Sequence, residues 1–210
     1  MPREAEPMRQ PLFFGSSKEL VVDTSVIINL NATGQAGGII RSLNVELRAS
    51  TVVRDELIVD RIHGRDDSAL AERLVSDGLL QFVEFNDESE TVFESLVSGA
   101  AEATLDDGEA ATLALAACSQ SLVVIDERKA IRVAGERFPS LELLATADLL
   151  QSELLLGTLG RDGVTAAVFS ALTTARMGVL ERHHGWIVDL LGDRIVKCRS
   201  LPASLRGLPV

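Results

Sequence analysis

Two cysteines in 210 residues, Cys118 and Cys198, are too few for a disulfide framework or a cysteine-based zinc centre. Cys118 lies in the apolar run EAATLALAACSQ, where a small buried hydrophobe is the ordinary role. No run approaches the roughly 20 apolar residues of a membrane span, although 46% of the chain is hydrophobic, so no membrane association is expected. The first residues, 1–18, hold three of the six prolines and no secretory-type apolar stretch; they read as a flexible arm, and a cytoplasmic chain is expected. Lysine and arginine are missing between Arg73 and Arg128, an interval with 12 acids, which outweighs the whole net charge of −11. Such an interval is either a solvated acidic face or a source of carboxylates that converge on metal ions.

What is present alternates strands with helices. The stretch ELVVD (19–23) reads as a buried strand ending in Asp23, with VIINLNATG as the helix after it. A second helical piece is expected over IIRSLNVELR, another helix near Arg54, an amphipathic one over SALAERLVSDG, and a strand at LLQFVEF. An acidic helix at about 87–98 precedes LDDGEAATLALAACSQ, whose alanine and leucine on every face predict a buried helix. SLVVIDERKAIRVAGERF repeats the opening pattern of strand, aspartate and helix, and LELLATADLL is a candidate third copy. This alternation predicts an α/β three-layer sandwich with a central, mostly parallel sheet, where groups at the strands' carboxyl ends share one crevice. The expected organisation is an arm (1–18), a domain (19–148), and a C-terminal helical extension (149–210) packed on that domain or at a dimer interface.

Four carboxylates stand out by placement. Asp23 and Asp126 end strands, Glu56 lies in VVRDEL, and Glu109 opens the buried helix. Gathered in one crevice, they would repel and take up protons unless a cation neutralised them. Hard oxygen donors of this kind suit Mg²⁺ or Mn²⁺. Two such ions about 3.5–4 Å apart are one way to drive in-line phosphodiester displacement. Each acid also has a plain structural role open to it. Asp23 and Asp126 are placed to cap helices, Glu56 and its neighbour Asp55 to favour a helix dipole, and Asp106 with Glu109 has capping-box spacing.

Other signals lead elsewhere or nowhere. In DTSVI, Ile27 stands where a von Willebrand A-type metal site needs a hydroxyl, and Ser25 where a haloacid-dehalogenase phosphatase needs a second aspartate. GTLGRDG lacks the Lys and Ser/Thr of a phosphate loop. His183 and His184 have no third ligand nearby in sequence and read as structural or surface residues; Trp186 reads as an anchor for the tail or a dimer contact.

The succession VVDTSVIINL, VVRDEL, LDDGEAATLALA and VVIDERKAIRVA resembles the PIN-domain nucleases, which include the VapC-type toxins of bacterial toxin–antitoxin pairs. The resemblance covers roughly residues 19–148. It implies a metal-dependent ribonuclease with Asp23, Glu56, Glu109 and Asp126 as catalytic and metal-binding acids, an RNA substrate, often a homodimer, and often an inhibiting antitoxin-like protein partner. Thr24 or Ser25 matches the hydroxyl that helps hold the first aspartate or a water at the metal, and Asp107 competes with Glu109 for the third position. Arg128, Lys129 and Arg132, after Asp126, are placed to touch a phosphate backbone or, equally, to pair with nearby acids on a solvated face. Family toxins are generally shorter than this chain, and a non-catalytic interaction or regulatory protein of the same fold is the alternative reading.

Overall fold

Strand β1 (Glu19–Val22) is the central strand of a five-stranded, wholly parallel sheet. The structure is a computed structural model that describes residues 19–57, 59–60 and 65–207, so the expected arm lies outside the described residues. After β1 come α1 (Thr24–Ala32), α2 (Ala36–Leu43), β2 (Glu46–Ser50) and α3 (Thr51–Glu56). A two-residue antiparallel pair, β3 (Val59–Asp60) with β4 (Arg65–Asp66), leads into α4 (Asp67–Ser76) and β5 (Leu80–Val83). The second half runs α5 (Asp87–Val97), α6 (Asp107–Ser119), β6 (Leu122–Val124), α7 (Arg128–Arg137), β7 (Leu143–Leu144) and α8 (Thr146–Leu150). Helices α9 (Glu153–Thr174) and α10 (His184–Leu191) follow, with 3₁₀ turns at Glu181–His183, Gly192–Lys197 and Ala203–Arg206.

Strand order is β5-β2-β1-β6-β7. The chain therefore builds outward from β1 in one direction, then returns to lay β6 on its other side, and the order reverses between β1 and β6. Crevices at such reversals open beyond the carboxyl ends of the strands. Side chains of β1 alternate across the sheet: Leu20 and Val22 enter one apolar core, Val21 the other, and all three are fully buried. The larger core takes α1, α2, α4, α8 and the chain beyond them; the smaller takes α5, α6 and α7. These are the three expected layers.

One expected helix is half strand. IIRSLNVELR is helical only to Leu43, because Asn44 adopts the left-handed conformation (φ 54°) that ends helices. Glu46–Ser50 then pairs with both β1 and β5, burying Leu47 and Ala49. The third copy of the strand, acid and helix pattern also differs: β7 ends at Leu144, but Asp148 falls inside α8, where its carboxylate accepts the Ala145 N–H at 2.8 Å.

The chain after α8 packs on the larger core. Helix α9 breaks at Gly160 (φ 65°, ψ 171°); beyond the break Val164, Ala167, Val168, Ala171 and Leu172 are buried, followed by Met177, Ile187 and Leu191. Trp186 is partly buried against the same cluster. Cys198 is buried and free, whereas Cys118 is only half-buried. No helix among the described residues is long and apolar enough to cross a membrane.

Candidate active site

Asp23 follows β1 and caps α1. Its backbone N–H reaches across to Val124 of β6 at 3.3 Å, so the register of the two strands sets Asp23 beside the chain that leads to Asp126. The Asp23 side chain is 5% exposed and its Oδ2 accepts from Ser25 Oγ at 2.7 Å and Ser25 N at 3.3 Å. The capping role is therefore real. It does not exhaust the residue, because Asp23 shares an electrostatic field with three other acids.

Asp126 lies beyond β6 and does not cap α7, a task taken by Glu127. Its Oδ1 accepts the Thr146 N–H at 2.8 Å, and its Oδ2 accepts from Thr146 Oγ1 at 2.6 Å and Asn29 Nδ2 at 2.9 Å. Glu56, the last residue of α3, reaches the start of α6: Oε1 accepts the Gly108 N–H at 2.8 Å, and Oε2 accepts the Thr24 hydroxyl. A free N–H in the first turn of a helix is a natural seat for a carboxylate. Glu109, half-buried in the first turn of α6, faces the same place, while Asp107 is exposed. Of the capping box between Asp106 and Glu109, only half forms: the Glu109 carboxylate is bonded by the Asp106 backbone, but the Asp106 side chain caps nothing.

Electrostatics tie the acids together through Asp23. Burial raises the Asp23 carboxyl above its ordinary range against the opposing bonds from Ser25 and Thr24, and the charge of Glu56 adds to the rise. Burial likewise raises Asp126 despite the donors on Thr146 and Asn29, with Asp23 contributing. Glu109 is pushed up to about 7 by burial and then by the charges of Asp23, Asp106 and Glu127. All three other acids thus feel or perturb Asp23.

This donor set is chemically suited to a hard divalent ion: carboxylate oxygens only, partly desolvated, whose anionic forms are disfavoured by one another. Among the described residues no group of three or more His, Cys, Asp and Glu side chains is gathered tightly enough to hold an ion as it stands. The reason is local. Glu56 and Asp126 are each bonded to protein donors, so the acids share a field without touching.

Most of the acidic interval lies elsewhere: Asp87, Glu88, Glu90 and Glu94 are exposed on α5. Arg128 is exposed and Lys129 half-buried at the start of α7, and neither forms an ion pair among the described residues. Arg132 pairs with Glu136 at 3.1 Å and donates to the Glu102 carbonyl at 2.7 Å, which leaves it bridging two segments of the protein. His183 is 3% exposed, with Nε2 3.2 Å from Asp148 Oδ1; His184 is half-buried.

Three partners of the acids do not stand out in the sequence: Asn29, Gly108 and Thr146. Two leave a trace there. Asn29 interrupts an apolar helix, and Gly108 is a glycine just inside a helix start, whereas the role of Thr146 shows only in the structure.

The chain belongs to the PIN-domain family: the family model DUF3368, described as a PIN domain, matches residues 19–165. No curated protein matches the sequence. Among solved structures, VapBC2 from Rickettsia felis bound to a DNA fragment from its promoter is similar at 12% identity and a TM-score of 0.41, covering 60% of this chain and 98% of that chain.

Proposed function

We propose that this chain is a Mg²⁺- or Mn²⁺-dependent ribonuclease that hydrolyses RNA phosphodiester bonds, of the kind that serves as the toxin of a toxin–antitoxin pair. One observation carries the reading: in a PIN-domain chain, Asp23 stands at the switch point of the sheet with its charge coupled to Glu56, Glu109 and Asp126. Asp23 and Glu109 would hold the ion, with Asp126 and Glu56 completing the set. Once bound, a divalent ion supplies charge neutralisation and activation of water for in-line displacement. Ser25 orients the Asp23 carboxylate, Thr24 and the Gly108 N–H orient Glu56, and Thr146 with Asn29 orients Asp126. Arg128 and Lys129, next to Asp126, would meet the phosphate backbone. The reading extends to a homodimer and to an antitoxin-like protein partner in the cytoplasm.

The decisive experiment is RNA cleavage by purified protein with Mg²⁺ or Mn²⁺, compared with Asp23→Asn. Wild-type cleavage that the variant loses, with its far-UV circular dichroism unchanged, supports the enzyme. Equal cleavage by both proteins rejects it.

A second reading, a non-catalytic PIN-fold interaction module, draws on the bonds that Glu56 and Asp126 already make within the protein. Absence of both divalent-ion binding and RNA cleavage in the wild-type protein, together with a specific protein partner, would favour it.

A further inference from the structure

We infer that the C-terminal tail positions Asp126 by gripping the back of the helical turn that holds it, with Arg182 and His183 as positioning residues and Asp148 as their shared anchor. The inference rests on the proposed role of Asp126 as a site acid.

The turn from Ala145 to Asp148 opens α8. Its front is Thr146, which gives Asp126 two of the three hydrogen bonds described above, one from the backbone and one from the hydroxyl. Its back is Asp148. Oδ2 of Asp148 accepts the Ala145 N–H at 2.8 Å and Arg182 Nη2 at 2.5 Å, while Oδ1 lies 3.2 Å from His183 Nε2. The other imidazole nitrogen, Nδ1, is 3.3 Å from Gln151 Oε1, just past the end of α8. One buried ring thereby reaches from the middle of a five-residue helix to just past its end.

A helix that short has no stability of its own, because the cost of nucleation is not recovered over so few residues. Its orientation is imposed from outside. Part of that restraint is apolar, through the buried Ala147, Leu149 and Leu150 and the packing of α8 on α1 and α9; the rest is the pair Arg182 and His183. Burial alone would push the Asp148 carboxyl up, but the adjacent His183 ring and the bonds from the Ala145 N–H and Arg182 outweigh it and hold the group down to about 2. Asp148 is therefore an anion at neutral pH, and its grip on the tail is charge-assisted. Arg182 and His183 lie beyond residue 165, where the family match ends. The clamp thus joins an anchor inside the family match, Asp148, to two residues outside it.

The test uses the full-length protein and Arg182→Met, with Asp148→Asn as a second variant and Arg182→Lys as the conservative control. Amide hydrogen exchange of Thr146 in metal-free protein reads the position of the turn without any reference to activity. In Arg182→Met and Asp148→Asn, Thr146 should exchange about tenfold faster while amides of α4 and α6 keep their rates, and Arg182→Lys should recover much of the protection. In the cleavage assay kcat should fall about tenfold at unchanged KM for RNA, as expected when a reacting group is displaced and binding is not. Unchanged Thr146 exchange in both variants overturns the inference, and so does equal acceleration of every amide, which would mean that the tail only stabilises the fold. Should wild-type protein cleave no RNA, the proposed function fails, while Thr146 exchange still decides whether the tail sets the turn.

Discussion

The carboxylate of Glu56 occupies the space that a side chain on Gly108 would fill. A Cβ at Gly108 would lie 2.8 Å from Glu56 Cδ and closer still to Oε2, so the missing side chain is what lets Glu56 reach the first turn of α6. The obstructing atoms are the end of a flexible, largely exposed side chain, which can swing away. Gly108→Ala should therefore fold well, helped by alanine's better helix propensity of up to about 1 kcal/mol. It should nonetheless lose about 10²-fold in kcat, since Glu56 is displaced by an ångström or more. Thermal melting and cleavage measured on the same preparation check both halves.

Thr146→Val removes one donor from Asp126 while keeping size and the backbone bond. Thr146 is fully buried, so water cannot replace the hydroxyl. The expected cost while the carboxylate is charged is about 1–3 kcal/mol. Urea denaturation over a pH series should show the cost shrinking as pH falls, because burial favours the protonated Asp126 and a protonated carboxyl needs that donor less.

The raised group Glu109 fixes a sign for the pH dependence of the metal-free protein. Its folded value of about 7 exceeds the ordinary value of 4.5, so between those limits the folded state binds more protons than the unfolded. Its contribution is fully present below the unfolded value and is lost as pH rises through about 7. Asp23 and Asp126, also raised, act in the same sense. Denaturant midpoints in a chelating buffer should fall between pH 5 and pH 8, and Glu109→Gln should flatten that slope. Mn²⁺ affinity should run the other way, strengthening as pH rises, because binding displaces the same protons.

Salt dependence separates the three basic residues of α7. Arg128→Ala and Lys129→Ala should each lower the slope of log RNA affinity against log salt by about 0.7, the single-strand value for one phosphate contact. Arg132→Ala should leave it unchanged, its guanidinium being engaged by Glu136 and Glu102. Equal slopes for all three variants would remove the start of α7 from the RNA path.

The parallel sheet and the acids at its carboxyl edge were legible because both follow from local pattern: an apolar run, an acid, then a helix. Strand β2 was not, because its alternation of Leu47 and Ala49 is short and follows a helix without a break in hydrophobicity; the left-handed turn at Asn44 decides it. The partners of the acids were hidden for a different reason. Asn29 is 97 residues from Asp126, and only the pairing of β1 with β6 brings their ends together. The sequence offers His183 a structural or surface role. It is buried, and its approach to within 3.2 Å of Asp148 joins the tail to a helix no periodicity relates to it.

The break in α9 at Gly160 and the end of the family match at residue 165 fall close together, yet neither marks where folding stops. Val168, Ala171, Leu172 and Ile187, all past that point, are fully buried in the larger core, and each large side chain among them contributes about 1.5–3 kcal/mol. A chain cut after 165 would expose one wall of that core to water. The span that the family shares is thus smaller than the unit that folds, and a chain cut there would keep all four acids proposed for the site while leaving one apolar wall bare.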